Sequence, residues 1–117
     1  MSQPFALIIE DDPKLAQIFT ITLNAHFDVQ AVTDGNQAIV RLSEIVPQIV
    51  VLDLNLPGAK GEDILRNIRA DPRLVKTKVI LATADARKAD ILRDDADIVL
   101  LKPVSPSQLR ELALRLA

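Results

Sequence analysis

Four runs of consecutive apolar residues constrain this chain more than any other feature: FALII (Phe5–Ile9), IVVLDL (Ile49–Leu54), VILAT (Val79–Thr83) and IVLL (Ile98–Leu101). A strand with one face in water alternates apolar and polar residues. Continuous apolar runs of this length therefore imply a sheet covered on both faces. A weaker fifth run, DVQAVT (Asp28–Thr33), mixes polar and apolar residues and suits a sheet edge.

Between the runs lie segments of helical length with readable ends. Asp12-Pro13 supplies an N-cap followed by proline at the first helical position, and Leu15, Ile18, Phe19, Thr22 and Leu23 then recur at helical spacing. Gly35 to Val46 places Ala38, Leu42 and Ile45 on one stripe before Pro47. Gly61 to Ala70 does the same with Ile64, Leu65 and Ile68 before Asp71-Pro72. Asp85 to Arg93 is a short helix candidate, expected to be the least stable. Ser105-Pro106-Ser107-Gln108 reads as a capping box with proline at N1, opening a last helix through Leu109, Leu112, Ala113 and Leu116. The β-α pair thus occurs five times with short connections, which predicts a parallel sheet wound with right-handed crossovers. The expected fold is a three-layer α/β domain.

At 117 residues the chain is expected to form one domain over 1–117 with no output domain attached. Its composition, 49% hydrophobic and 26% charged, is that of a soluble globular protein, and no apolar stretch is long enough to span a bilayer. No membrane partner is expected. The N-terminus MSQPFALIIEDD lacks the basic and long apolar regions of a secretory signal, and there is no cysteine, so a cytoplasmic location is the simplest expectation. Net charge is −2 with acids and bases interspersed, which argues against direct nucleic-acid contact.

In an open parallel sheet the ligand site lies outside the carboxyl ends of the strands. Strand one ends in Glu10-Asp11-Asp12, strand three in Asp53, strand four in Thr83-Ala84 and strand five in Lys102-Pro103. Taken singly, each has an ordinary explanation: a solvated loop with an N-cap, a turn acid, a residue of high strand propensity, a surface turn. Together they bring four acids, a hydroxyl and an ammonium to one rim. Crowded carboxylates repel and raise one another's pKa unless a cation offsets them. Lys102 offers one charge, and the remaining excess suits a hard divalent ion such as Mg²⁺, which commonly binds one or two carboxylates, waters and a phosphate oxygen. A carboxylate with Mg²⁺, lysine and threonine around it can accept a phosphoryl group, with Asp53 as the nucleophile forming an aspartyl phosphate. His26, the only histidine, is expected to satisfy helix-terminal carbonyls and is given no role. No glycine pattern supports a dinucleotide site or P-loop, and no Ser-His-Asp or Cys-His set is present.

The motifs IIEDD, VVLDLNLPG, ILATA and LLKP resemble, over essentially the whole chain, the receiver domain of two-component response regulators. The resemblance implies a flavodoxin-like fold with strand order 2-1-3-4-5. It implies that Asp53 is the phosphoacceptor, loaded from the phosphohistidine of a sensor histidine kinase or phosphotransfer protein. Asp11 would hold Mg²⁺ directly and Glu10 through water, with Asp53 and the backbone carbonyl of Asn55 completing the set. Thr83 would bond a phosphoryl oxygen, Ala84 would leave room for it and Lys102 would pair with it. Asn55 and Asp85 sit where the family tunes autodephosphorylation. Pro57 would shape the loop and Pro103 carry a cis bond. The implied partners are the kinase and a downstream effector protein, with homodimerisation as a further option.

Two departures stand out. Val99 occupies the place, three residues before Lys102, where the family usually has an aromatic residue that rotates with the threonine. The Thr83-to-Lys102 spacing is also a few residues shorter than usual, with Arg93-Asp94-Asp95-Ala96 before strand five. Signal would then pass through Thr83, the loop after strand four and the helix beyond. Two other functions fit parts of the pattern: an interaction module indifferent to phosphorylation, and a small phosphatase using an aspartyl phosphate. The latter generally wants a second acid two residues after the nucleophile, where this chain has Asn55.

Overall fold

The computed structural model describes residues 3–117. Its elements are β1 (Phe5–Ile9), α1 (Pro13–Leu23), β2 (Asp28–Val32), α2 (Gly35–Glu44), β3 (Ile49–Leu52), α3 (Gly61–Ala70), β4 (Lys78–Thr83), α4 (Ala86–Leu92), β5 (Ile98–Leu101) and α5 (Pro106–Leu116), with short 3-10 turns at Pro72–Leu74 and Arg93–Asp95. The strands pair in the order β2-β1-β3-β4-β5, all parallel.

Alternate residues of the three inner strands go to opposite faces, and each face carries its own core. Leu7, Ile9, Val50, Leu52, Val79 and Leu81 pack with Leu42 of α2, Ile64, Leu65 and Ile68 of α3 and Leu92 of α4. Ala6, Ile8, Ile49, Val51, Ile80 and Ala82 pack with Phe19 and Leu23 of α1 and Leu109 and Ala113 of α5. This is why the inner strands show no alternation: both sides are dry. Each fully buried aliphatic side chain contributes about 1.5–3 kcal/mol, so the sheet centre is the stable platform on which the strand ends sit.

The caps expected at Asp12 and Ser105 form, and Asp34 and Asp85 add two not named from the sequence. Asp12 accepts from the backbone N–H groups of Lys14 and Leu15 at the start of α1, Asp34 from Gln37 in α2, Asp85 from Lys88 in α4 and Ser105 from Gln108 in α5. His26 meets a helix-terminal carbonyl with its backbone, donating N–H to Leu23 O at 3.0 Å.

Four expectations need correction. β3 stops at Leu52 rather than Leu54: Asp53 still donates its N–H to Ile9 O at 2.9 Å, and the chain then turns, with Leu54 buried as a plug rather than paired as strand. α2 ends at Glu44, two residues before Val46, because Ile45 is already extended and proline at 47 disfavours helix for Val46; Arg73 donates to the carbonyls of Leu42 and Ser43 there. α4 covers only Ala86–Leu92, with Asp85 as its cap and the 3-10 turn taking over at Arg93. β5 is apolar throughout yet is the second edge strand: Leu100 is buried, Ile98 and Val99 are half-buried and Leu101 is exposed. Its apolar residues divide between the two cores, Val99 against one and Ile98 and Leu100 against the other, without being fully covered on both faces. β2 is the other edge, as its mixed sequence suggests.

Gly61 opens α3 directly beneath the end of β3, where an added Cβ would lie 2.5 Å from both Asp53 O and Leu54 Cα. Helix propensity alone makes Gly→Ala favourable by up to ~1 kcal/mol, but the neighbouring atoms are backbone and yield little. We predict that Gly61→Ala destabilises the fold by about 1–3 kcal/mol in urea unfolding; an unchanged or raised midpoint would show that the contact is not tight.

Candidate functional site

The register of the sheet assembles the site. β1 and β3 end in step at Ile9 and Leu52, which sets Glu10 beside Asp53. β4 and β5 end with Thr83 opposite Leu101, and Lys102 N–H donates to Thr83 O at 2.8 Å, so the lysine starts from the same rim. Glu10 and Asp53 are 1% and 3% exposed, and Thr83 is fully buried. Carboxylate oxygens of Glu10, Asp11 and Asp53 lie within 4.8 Å of one another, Asp11 being the exposed member. Lys102 Nζ is 2.8 Å from Glu10 Oε1 and 3.3 Å from Asp53 Oδ2.

Three of the four acids read from the sequence thus converge, together with the ammonium. Asp12 does not join them: its carboxylate is turned along α1 as the cap, and its backbone N–H donates to Glu10 Oε2 at 3.1 Å. Asp12 was legible as a cap from the proline that follows it, and one side chain cannot serve both places. Asn55 donates its backbone N–H to Asp53 Oδ1 at 3.2 Å. Thr83 Oγ1 accepts from Asp85 N–H at 3.0 Å, and Asp85 Oδ1 accepts from Lys88 N–H at 3.0 Å. That link between Thr83 and the cap of α4 is absent from the sequence reading, although a hydroxyl two residues before a capping Asp is a usable signal for it. The Lys102-Pro103 bond is cis, and Pro57, in the loop after Asp53, accepts at its carbonyl from Gly35 N–H at 2.9 Å. Val99 sits on the α4 side of β5, half-buried against the core shared by α2, α3 and α4.

Burial pushes the Glu10 carboxyl up to about 7 from its ordinary 4.5, the neighbouring Asp53 charge adds to this, and the bonds from Lys102 and Asp12 only partly oppose it. Burial by itself would lower Lys102, but bonding to Glu10 and the charges of Asp53 and Glu10 win, and its pKa is raised. The two partners thus pull in different directions, one toward neutrality and one toward charge. Lys102, with 19% of its side chain exposed against 1% for Glu10, keeps its charge, and Glu10 is the group that takes up a proton when no other cation is present. Glu10 Oε1 is buried with no aligned hydrogen bond, facing only the ammonium. A desolvated, under-coordinated set of carboxylate oxygens next to an exposed third carboxylate is a donor set that fits a small hard cation such as Mg²⁺.

A family model for the response regulator receiver domain matches residues 6–114. The chain belongs to this family. The receiver reading also rests on relatives: the DNA-binding response regulator MtrA of Mycolicibacterium smegmatis is 37% identical over 107 residues, 88% of this chain but 46% of that protein. The chain spans about half the length of the curated relatives it matches. Among solved structures, the receiver domain of Francisella response regulator 1452 is 26% identical with a TM-score of 0.86, covering 97% of this chain and 96% of that one. The chemotaxis response regulator CheY4 of Vibrio cholerae shares the fold, with a TM-score of 0.89 at 21% identity over 99% and 100% of the two chains. The protein is therefore the receiver domain of a two-component response regulator, a signalling domain, with the strand order expected for it. No helix among the described residues is long and apolar enough to cross a membrane.

The receiver's buried acid sets a sign for pH dependence. Because the folded pKa of Glu10 lies above its unfolded value, the stability tied to its neutral form is complete below about 4.5 and is lost as pH rises toward about 7. In EDTA, wild type should lose on the order of 1–3 kcal/mol relative to Glu10→Gln between pH 5 and 8 in urea unfolding. A gap that is flat or widens in favour of wild type would show that Glu10 is buried as an anion.

Proposed function

We propose that this receiver domain accepts a phosphoryl group on Asp53 from a phosphohistidine of a sensor kinase or phosphotransfer protein and thereby changes its affinity for an effector protein. The observation that carries the reading is the placement of Asp53: 3% exposed, at a strand end, with Lys102 Nζ 3.3 Å from one oxygen and the Asn55 N–H 3.2 Å from the other. A carboxylate oxygen of Asp53 attacks phosphorus, the P–N bond breaks and the electron pair leaves with the imidazole. Charge on the equatorial oxygens needs donors already in place. Lys102 supplies one, and the Thr83 hydroxyl another once it turns from Asp85. Glu10, Asp11 and Asp53, with the Asn55 carbonyl, would hold Mg²⁺, which supplies neutralisation of the phosphoryl oxygens when bound. Asn55 and Asp85 flank the phosphoryl position and would set how readily water hydrolyses it.

The domain is read as a phosphoacceptor rather than an enzyme acting on other molecules, with Asn55 standing where an aspartyl-phosphate phosphatase would want an acid. Its effector is read as a protein: a net charge of −2 with acids and bases interspersed gives nucleic acid little general attraction to the domain. DNA binding, named for MtrA, would belong to a part of a regulator outside the matched half. The valine at 99 favours one other reading, binding of a partner irrespective of phosphorylation.

Incubation with acetyl phosphate and Mg²⁺ should add a single phosphoryl mass to the intact protein. EDTA or Asp53→Asn should abolish it, and Lys102→Ala should slow it on the order of 10²-fold. An adduct that persists in Asp53→Asn, or none in wild type, contradicts the proposal. Equal effector affinity with and without the adduct would favour the phosphorylation-independent reading.

A further inference from the structure

All three glycines of the chain, Gly35, Gly58 and Gly61, meet at one loop, the stretch from Leu54 to Lys60 that follows Asp53 and carries Asn55. Gly61 closes the loop at its base, donating its N–H to Leu54 O at 3.3 Å. α3 then starts with no capping side chain, Lys60 offering none, whereas α1, α2, α4 and α5 each have one. The outer part of the loop is held instead by the turn between β2 and α2. Gly35 donates its N–H to Pro57 O at 2.9 Å, and Gly58 lies against the Asn36 side chain, whose Nδ2 a Cβ at 58 would meet at 2.8 Å.

That turn is fixed on both sides. Asp34 Oδ1 accepts from Gln37 N–H at 2.7 Å and Gln37 Oε1 accepts from Thr33 N–H at 3.3 Å, a reciprocal cap at the start of α2. Just before it, Val32 O accepts from Glu10 N–H at 3.1 Å. The turn therefore joins the two halves of the acid cluster, being bonded to Glu10 at the end of β1 and to the loop after Asp53 at the end of β3. The contact that sets their spacing is steric. A Cβ at Gly35 would overlap Ala59 O and lie 2.6 Å from Ala59 C and 2.9 Å from Ala59 Cα, backbone atoms that cannot swing aside as a side chain would. Gly58 alone has a positive φ, so what Gly35 supplies is the missing side chain.

We propose that Gly35 is a positioning residue for the metal site: its bare Cα lets the backbone at Ala59 seat against the start of α2, which fixes the loop holding Asn55 relative to Glu10 and Asp11. The inference rests on the reading that these acids, Asp53 and the Asn55 carbonyl hold Mg²⁺. Asn55 is exposed and reaches the site through its backbone, with its N–H 3.2 Å from Asp53 Oδ1. A small cation demands near-ideal donor geometry, so a carbonyl donor is only as good as the placement of its loop. A side chain at 35 pushes the loop away from the β1 acids, while Asp53 stays with the register of β3.

Titration of the full chain with Mg²⁺ alone, followed by ¹⁵N NMR, tests this, with urea unfolding alongside. Gly35→Ala should raise the Mg²⁺ dissociation constant about tenfold, the effect of a misplaced supporting group, and should shift the Asn55 and Leu56 amide signals already in EDTA. Ile68→Val, a buried change about two turns along α3, lowers stability at a distance from Gly35 and should bind Mg²⁺ within about twofold of wild type. Asp34→Ala, which removes the α2 cap and decides the matter where Gly35→Ala does not fold, should weaken Mg²⁺ about threefold. Asp34→Asn, which keeps a capping oxygen, should not. A folded Gly35→Ala with wild-type affinity, or an equal loss in Ile68→Val, overturns the proposal; without a folded Gly35→Ala, wild-type affinity in Asp34→Ala or an equal loss in Asp34→Asn overturns it. No saturable shift in wild type contradicts the metal reading instead, and the EDTA spectra still decide the positioning: unmoved Asn55 and Leu56 signals in Gly35→Ala refute it.

Discussion

The interaction on which the rest of the structure turns is the burial of two carboxylates, Glu10 and Asp53, side by side at the ends of adjacent strands with one ammonium between them. Removing charges from water costs several kcal/mol per ion, and a pair of like charges adds repulsion. A single lysine at 2.8 and 3.3 Å offsets only part of this, which is why Glu10 is driven toward neutrality in the absence of another cation. Such a cluster is weak evidence for stability. It is a standing cost that the apolar sheet beneath it offsets, and it leaves the rim short of positive charge, the condition under which a cation and a phosphoryl group bind together.

The sheet offsets that cost by being dry on both faces where it matters. Side chains of β1, β3 and β4 alternate between two cores, one closed by α1 and α5 and one by α2, α3 and α4. Strand ends on such a platform have little freedom, so Asp53 is held by its neighbours' register and not by its own contacts alone. The loop that follows is fixed in turn by Gly58 at φ 76°, by Pro57 O on Gly35 and by Gly61 against the Asp53 carbonyl. Positioning and burial thus come from the same packing.

Most of this was legible in the sequence because the determinants are local. The apolar runs marked four strands and the mixed run DVQAVT the fifth, and proline after a capping residue marked the starts of α1 and α5. The strand-end residues Glu10, Asp11, Asp53, Thr83 and Lys102 were readable because a parallel sheet puts all strand ends on one side. What was not legible depended on contacts between distant segments. β5 reads as a covered strand, yet only its neighbours in space decide that it is an edge. α2 stops two residues early where Ile45 turns extended before Pro47, and the Arg73 guanidinium that meets the carbonyls of Leu42 and Ser43 there comes from another turn. Asp12 could be counted as a site acid or a cap, and only the geometry divides the roles. The bond from Asp85 to Thr83 involves a side-chain direction that spacing does not specify. The missing aromatic at Val99 and the stretch from Thr83 to the next helix could be read directly, but the bonds along that stretch could not.

The account stands on Asp53 carrying the phosphoryl group. The most direct measurement is to treat the acetyl-phosphate-labelled protein with borohydride, which reduces an aspartyl phosphate to homoserine, and to map the product by peptide mass spectrometry. The account predicts homoserine at position 53 alone. Reduction at Asp11, Asp12 or Asp85, or labelled protein with no homoserine at all, would contradict it.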